Sequence, residues 1–316
     1  MKKFTVQKAY VLFVLVMSVF LSSSLVYAGS DHNDGKDKRP GASKPGKGCP
    51  RHNGGDHTPP VVIPPVIKAP GVLGAASTFG VFGGGAGITN QGIYTVINGD
   101  IGTTAASTLV TGFHDLNAVY TETPLNIGTV NGTVHTATAP VGSVPNVIAT
   151  AAALDAQIAF DSLSPAALPG GIDVSSLGGD AGQLGNRTLA PGVYASAPGS
   201  YIISGGDLVL DGQGNPDSVF IFQMATTLTV GGPGAAFPQS VILVNGAQAK
   251  NIFWQVGSAA TINAAGGGTM VGTIIAYSGA SFSTAGNVDI VTLEGRALAL
   301  HASVTLVNTH INVPAP

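Results

Sequence analysis

From residue 71 onward, short apolar runs alternate with small polar turns. The runs "FIFQM" (220–224), "IFWQV" (252–256), "TIIAY" (273–277) and "RALAL" (296–300) each open a unit. After each comes a turn of small residues, then a second short strand bearing Thr or Ser: "TLTV" (227–230), "ATIN" (260–263), "FSTA" (282–285) and "VTLV" (304–307). Units of roughly 16 to 23 residues that restart after Gly or a turn suit a β-solenoid, because each coil buries its apolar side only by stacking on its neighbours. Gln223 of "FIFQM" recurs as Gln255 of "FWQV", which fits either an inward amide ladder or a corner position. One segment breaks the pattern. In "PNVIATAAALDAQIAFDSL" (145–163), Val147, Ala151, Leu154 and Ile158 fall at helical spacing, Ser143 is placed to cap, and Pro145 sits near the first turn.

The first 70 residues have a different texture. Lys2, Lys3 and Lys8 precede an apolar run from Ala9 to Leu21, and Val26-Tyr27-Ala28 fits a signal-peptidase site, so residues 1–28 read as a secretory signal cleaved near Ala28. The protein is then expected outside the cell, with no membrane span. Residues 29–70 hold 11 charged residues and almost nothing apolar before Val61, which predicts a disordered, charged and Pro-rich linker. The only cysteine, Cys49, lies there near His32, His52 and His57 in no zinc-binding spacing. In an oxidising compartment it could join two chains by a disulfide. Residues 71–316 form the folded domain.

Charge narrows the chemistry of that domain. It carries three basic residues, Arg187, Lys250 and Arg296, against twelve acidic ones, which argues against nucleic acid. Asp207, Asp211 and Asp217 in "GGDLVLDGQGNPD" are interleaved with Gly212, Gly214 and Pro216, so they read as turn residues rather than calcium ligands or a glycosidase pair. His114, His135, His301 and His310 are scattered and build no triad. "GGGAG" (83–87) lacks the Lys and Ser or Thr of a phosphate loop. No catalytic residue, metal or cofactor is expected.

Several longer stretches carry a resemblance. "GVFGGGAGITNQGIYTVINGDIGT" (80–103), "LAPGVYASAPGSYIISGGDLVLDGQGNPDSVFIFQ" (189–223), "VILVNGAQAKNIFWQVGSAATI" (241–262) and "GTIIAYSGASFSTAGNVDIVTLEGRALA" (272–299) look like the ice-binding-like family of secreted antifreeze proteins and adhesins. The resemblance runs over nearly all of residues 71–313. It implies a mainly β fold, a three-sided discontinuous β-solenoid with one long α-helix packed along a side. N-terminal strands of the domain would complete a stack built by later ones.

It also implies a partner, the surface of an ice crystal. Coils stack about 4.7–4.9 Å apart, so a residue repeated at one position becomes a regularly spaced row. Short Thr, Ser, Ala and Asn side chains on a flat face would hold ordered water, whereas long charged ones would disrupt it. The family signature resembles Thr, then Ala or Gly, then any residue, then Thr or Asn. Thr284-Ala285-Gly286-Asn287 matches it, while "AAGGG" (264–268) and "QGIY" (91–94) depart from it. The first candidate face is therefore Thr284, Ala285 and Asn287 with Asn263, Thr269 and Asn308 as neighbouring rows. A second candidate is the adjoining strand face, Thr227, Thr229, Thr261, Ser283 and Thr305. Any single Thr here is also simply a good strand former.

Three functions remain in view: an ice-binding protein that restrains crystal growth or recrystallisation, an adhesin-like module attaching to an extracellular surface or polysaccharide, and a carbohydrate-active enzyme. The absence of convergent carboxylates disfavours the third.

Overall fold

The computed structural model describes residues 73–232 and 238–315. The predicted signal, linker and Cys49 lie outside the described residues. Strands group into three parallel faces, as the repeats require; among the described residues Phe113–His114 pairs antiparallel with Val119–Tyr120, and an isolated antiparallel bridge joins Thr123 and Asn126.

The first face stacks Gly192–Ala195, Phe220–Met224, Ile252–Val256, Thr269–Ala276 and Val291–Ala299 in chain order. Its continuation comes from the N-terminal side of the domain. Phe79–Gly83 pairs with the last of these strands through Val81↔Ala297 and Phe82↔Leu298, then with Asp100–Thr103, which in turn pairs with Val134–Thr136. The stack is thus discontinuous in sequence.

Alternate side chains of these strands enter the interior. Tyr194, Phe222 and Trp254 are in register on consecutive coils and stack, with Phe222 and Trp254 centroids 4.1 Å apart and planes 10° from parallel. Trp254 is fully buried, and its Nε1 donates to the Val271 carbonyl at 2.8 Å. The intervening side chains, Ile221, Phe253, Ile275 and Leu298, point outward beneath the helix Val144–Ser162.

That helix turns its small face down. Ala149, Ala152, Ala156, Ala159 and Phe160 are buried, whereas Val147, Leu154 and Ile158 of the predicted apolar stripe are exposed. The sheet already supplies the bulk, so close packing favours alanine on the helix side. Ser143 does occupy the N-cap position, but its side chain makes no capping bond.

Two of the long strands bend from the third face onto the first at glycines. Gly272 has φ 101°, and a Cβ at Gly295 would collide with the Gly272 carbonyl on the coil beside it. Only glycine fits that corner. The third face holds Arg187–Leu189, Leu208–Asp211 and Val241–Val244 as one sheet, and Thr309–Asn312, Thr95–Asn98 and Gly128–Val130 farther along.

Candidate functional site

The remaining face is covered by no helix. It stacks Tyr201–Ile203, Leu228–Val230, Ala260–Ile262, Ala280–Phe282, Val304–Leu306, Ile88–Asn90 and Val110–Thr111. In every strand but the two-residue last one the outer residues are buried and the central one is half-exposed, the pattern of a one-sided sheet over a core. The half-exposed residues form a row. Register pairs Ile202 with Thr229, Thr229 with Thr261, Thr261 with Ser281, Ser281 with Thr305, Thr305 with Thr89, and Thr89 with Thr111.

A second column lies two residues earlier on each strand. Backbone bonds from Leu228, Ala260, Ala280 and Val304 to the carbonyls of Ala259, Gly279, Ser303 and Gly87 align those residues with Thr227. Adjacent coils are separated by about 4.8 Å, and residues two apart along a strand by roughly 6.6 Å, so the two columns form a small two-dimensional array. No charged residue belongs to it. Thr111 Oγ1 donates to Thr89 Oγ1 at 3.3 Å, the one hydrogen bond between members of the row among the described residues.

Thr227, Thr229, Thr261 and Thr305 of the second candidate face are therefore brought together. Ser283 is not. It sits at the corner after its strand with φ 62° and is buried, and Ser281 takes its place in the row. The two-residue slip arises because "ASFS" presents serine on both sides of a buried Phe282. Thr89, Thr111 and Ser281 escaped the sequence reading, although "ITN" (88–90) carries the same apolar-Thr pattern as "ATIN".

The first candidate face does not assemble. Asn263 and Asn308 are buried corner residues with φ 44° and 45°, a backbone region that Asn tolerates better than most residues. Their amides serve neighbouring backbone: Asn263 Nδ2 donates to the Gln239 carbonyl at 2.9 Å, while Asn308 Oδ1 accepts from the Ile93 and Tyr94 amides at 3.0 Å each. Thr284 and Ala285 are exposed, but in a loop, where the Asn287 amide donates to the Thr284 carbonyl at 3.1 Å and closes a turn. Asn287 Nδ2 donates to the Ala264 carbonyl at 2.8 Å. Thr269 begins a strand on the third face, opposite Thr292. The signature-like tetrapeptide is thus a turn.

Other polar groups also have structural places. Asp211 Oδ1 accepts from the Gln213 amide at 2.8 Å, and Asp207 Oδ1 from the Ser240 amide at 2.7 Å. His114 Nδ1 meets Glu122 Oε1 at 2.6 Å on the third face, and His135 is buried beside Phe79. Among the described residues no group of His, Cys, Asp and Glu could hold a metal ion. No helix of the described residues is long and apolar enough to cross a membrane.

Comparison with known proteins agrees with this architecture. The family model described as "Ice-binding-like" matches residues 82–312. An ice-binding protein of Nostoc sp. (strain HG1) is 34% identical over 235 residues, covering 74% of this chain and 71% of the relative. One of Leucosporidium sp. (strain AY30) is 32% identical over 255 residues, covering 77% and 85%. The crystal structure of the ice-binding protein of Antarctomyces psychrotrophicus superposes with a TM-score of 0.58 at 31% identity, over 78% of this chain and 98% of that one. A parallel three-faced stack closed by its own N-terminal strands, one helix along a side and a match across almost the whole described chain place this protein in the ice-binding-like family.

Proposed function

We propose that this protein adsorbs to ice through the row Thr229, Thr261, Ser281, Thr305, Thr89 and Thr111, with Thr227, Ala259, Gly279 and Ser303 as its second column. The observation that carries the reading is the register: six consecutive coils place Thr or Ser at one position of the uncovered face. Each such residue offers a hydroxyl that water can bond and, in threonine, a methyl that orders water beside it. A stacked sheet holds these groups at fixed spacing, so little conformational freedom is lost on contact. Adsorption at many weak points would restrain growth or recrystallisation of the crystal.

The same reading places the protein outside the cell. Residues 1–28 have the composition of a cleaved secretory signal, and residues 29–70 that of a linker ahead of a domain beginning near residue 71. No catalytic role is assigned to any residue.

Ice-affinity capture followed by a recrystallisation assay tests the proposal. Wild type should partition into ice, and Thr261→Tyr, which places a bulky ring in the middle of the row, should not. Failure of wild type to enter ice would overturn the reading and favour an adhesin-like module.

A further inference from the structure

A groove of about 410 Å³ opens where the end of the helix meets the first face. Phe160 and Pro165 form one wall, the strand ends at Ala225 and Gly257 lie opposite, and Tyr277 stands at the rim, 46% exposed. The Tyr277 ring lies 6.0 Å from that of Phe160 and 4.4 Å, edge-on, from that of His301. Gln223 and Gln255, in register on neighbouring coils, also line the groove. They are 1% and 5% exposed, and neither Oε1 has a hydrogen-bond partner. Gln223 cannot relieve this by turning its amide over, because its Nε2 already donates to the carbonyls of Leu163 at 2.9 Å and Leu168 at 3.0 Å. Buried acceptors without donors are costly, and a site that holds them rewards a ligand that supplies donors.

We infer that this groove binds a neutral sugar ring of a polysaccharide. Its lining carries no charged residue, which excludes recognition of an ionic ligand by pairing. A pyranose matches what is present: its C–H face stacks on an aromatic ring such as Tyr277, and its hydroxyls donate to carboxamide oxygens. The volume falls in the range of small-molecule sites. The groove borders the threonine face, since Ala225, Gly257 and Tyr277 each lie three residues before a strand of that face, yet it shares no residue with the row. The inference therefore stands apart from ice binding.

The test is an NMR titration of the protein from residue 29 onward with three neutral glucose hexasaccharides, α-1,4-, β-1,4- and β-1,3-linked. Saturable shifts at Ala225, Gly257 and Tyr277 with at least one of them are expected. Tyr277→Ala and Gln255→Leu should each weaken that binding at least tenfold while ice capture stays at the wild-type level. Because Tyr277 is at the surface, its variant should keep the wild-type melting temperature. The proposal is overturned by no saturable shift with any probe, by shifts confined to the threonine row, or by binding that survives Tyr277→Ala.

Discussion

Thr229 and Thr261 stand directly opposite each other on neighbouring coils, both half-exposed on a face that no helix covers. The pairing repeats down the stack through Ser281, Thr305, Thr89 and Thr111, so the proposed contact surface is one continuous row.

Thr261→Tyr should abolish ice capture, whereas Thr284→Tyr, in the loop beyond the face, should leave it intact. Both positions lie off the core, so each melting temperature should stay near wild type, a change of about 0.5 kcal/mol or less. Ice partitioning and thermal melts of the two variants check this. Loss of capture in Thr284→Tyr alone would move the contact surface to the turn.

Trp254→Ala should destabilise the domain by about 3–5 kcal/mol, read from denaturant unfolding. The substitution removes the largest buried ring, breaks its stack on Phe222 and leaves the Val271 carbonyl without its donor. Unchanged stability would contradict the interior placement.

Asn263→Ala should cost about 1–3 kcal/mol, because it removes both hydrogen bonds that the Asn263 amide makes to the Gln239 backbone and forces alanine into a left-handed conformation. The folded fraction should still enter ice at low temperature. A variant of wild-type stability that lost capture would make Asn263 a contact residue after all.

His135 supplies a pH dependence. Burial lowers its pKa below the ordinary 6.5, against a smaller opposing pull from Asp100 and Asp115. The folded state holds the ring neutral while the unfolded chain protonates it. Its contribution is therefore full above about pH 6.5 and declines as pH falls from there toward the lower folded-state pKa. Urea unfolding at pH 7.5 and 5.5 should show a smaller loss in His135→Phe than in wild type, with equal losses counting against this account.

The repeat, the β class and the existence of one helix are legible in the chain because each rests on local periodicity, which a short window contains. The position of the helix is equally legible, but not its orientation. Val147, Leu154 and Ile158 look like a core stripe until the sheet beneath is known to carry Phe82, Phe253 and Ile275, against which the helix packs four alanines and, at its end, Phe160. The paired glutamines are similar. Their recurrence marks equivalent positions on two coils, and only the tertiary structure decides that they face the helix end rather than the interior.

For the candidate surface, the sequence by itself determined which residue types are repeated and that they are short and uncharged. It did not determine register. A slip of two residues exchanges Ser281 for Ser283 while keeping the composition, and a Thr-Ala-Gly-Asn run reads the same in a strand or a turn. Which threonines form a row depends on pairing between coils far apart in sequence, as with Thr305 and Thr89. That pairing is fixed by backbone hydrogen bonds and by the interior packing of residues such as Val304 and Ile88, so only the assembled stack decided it.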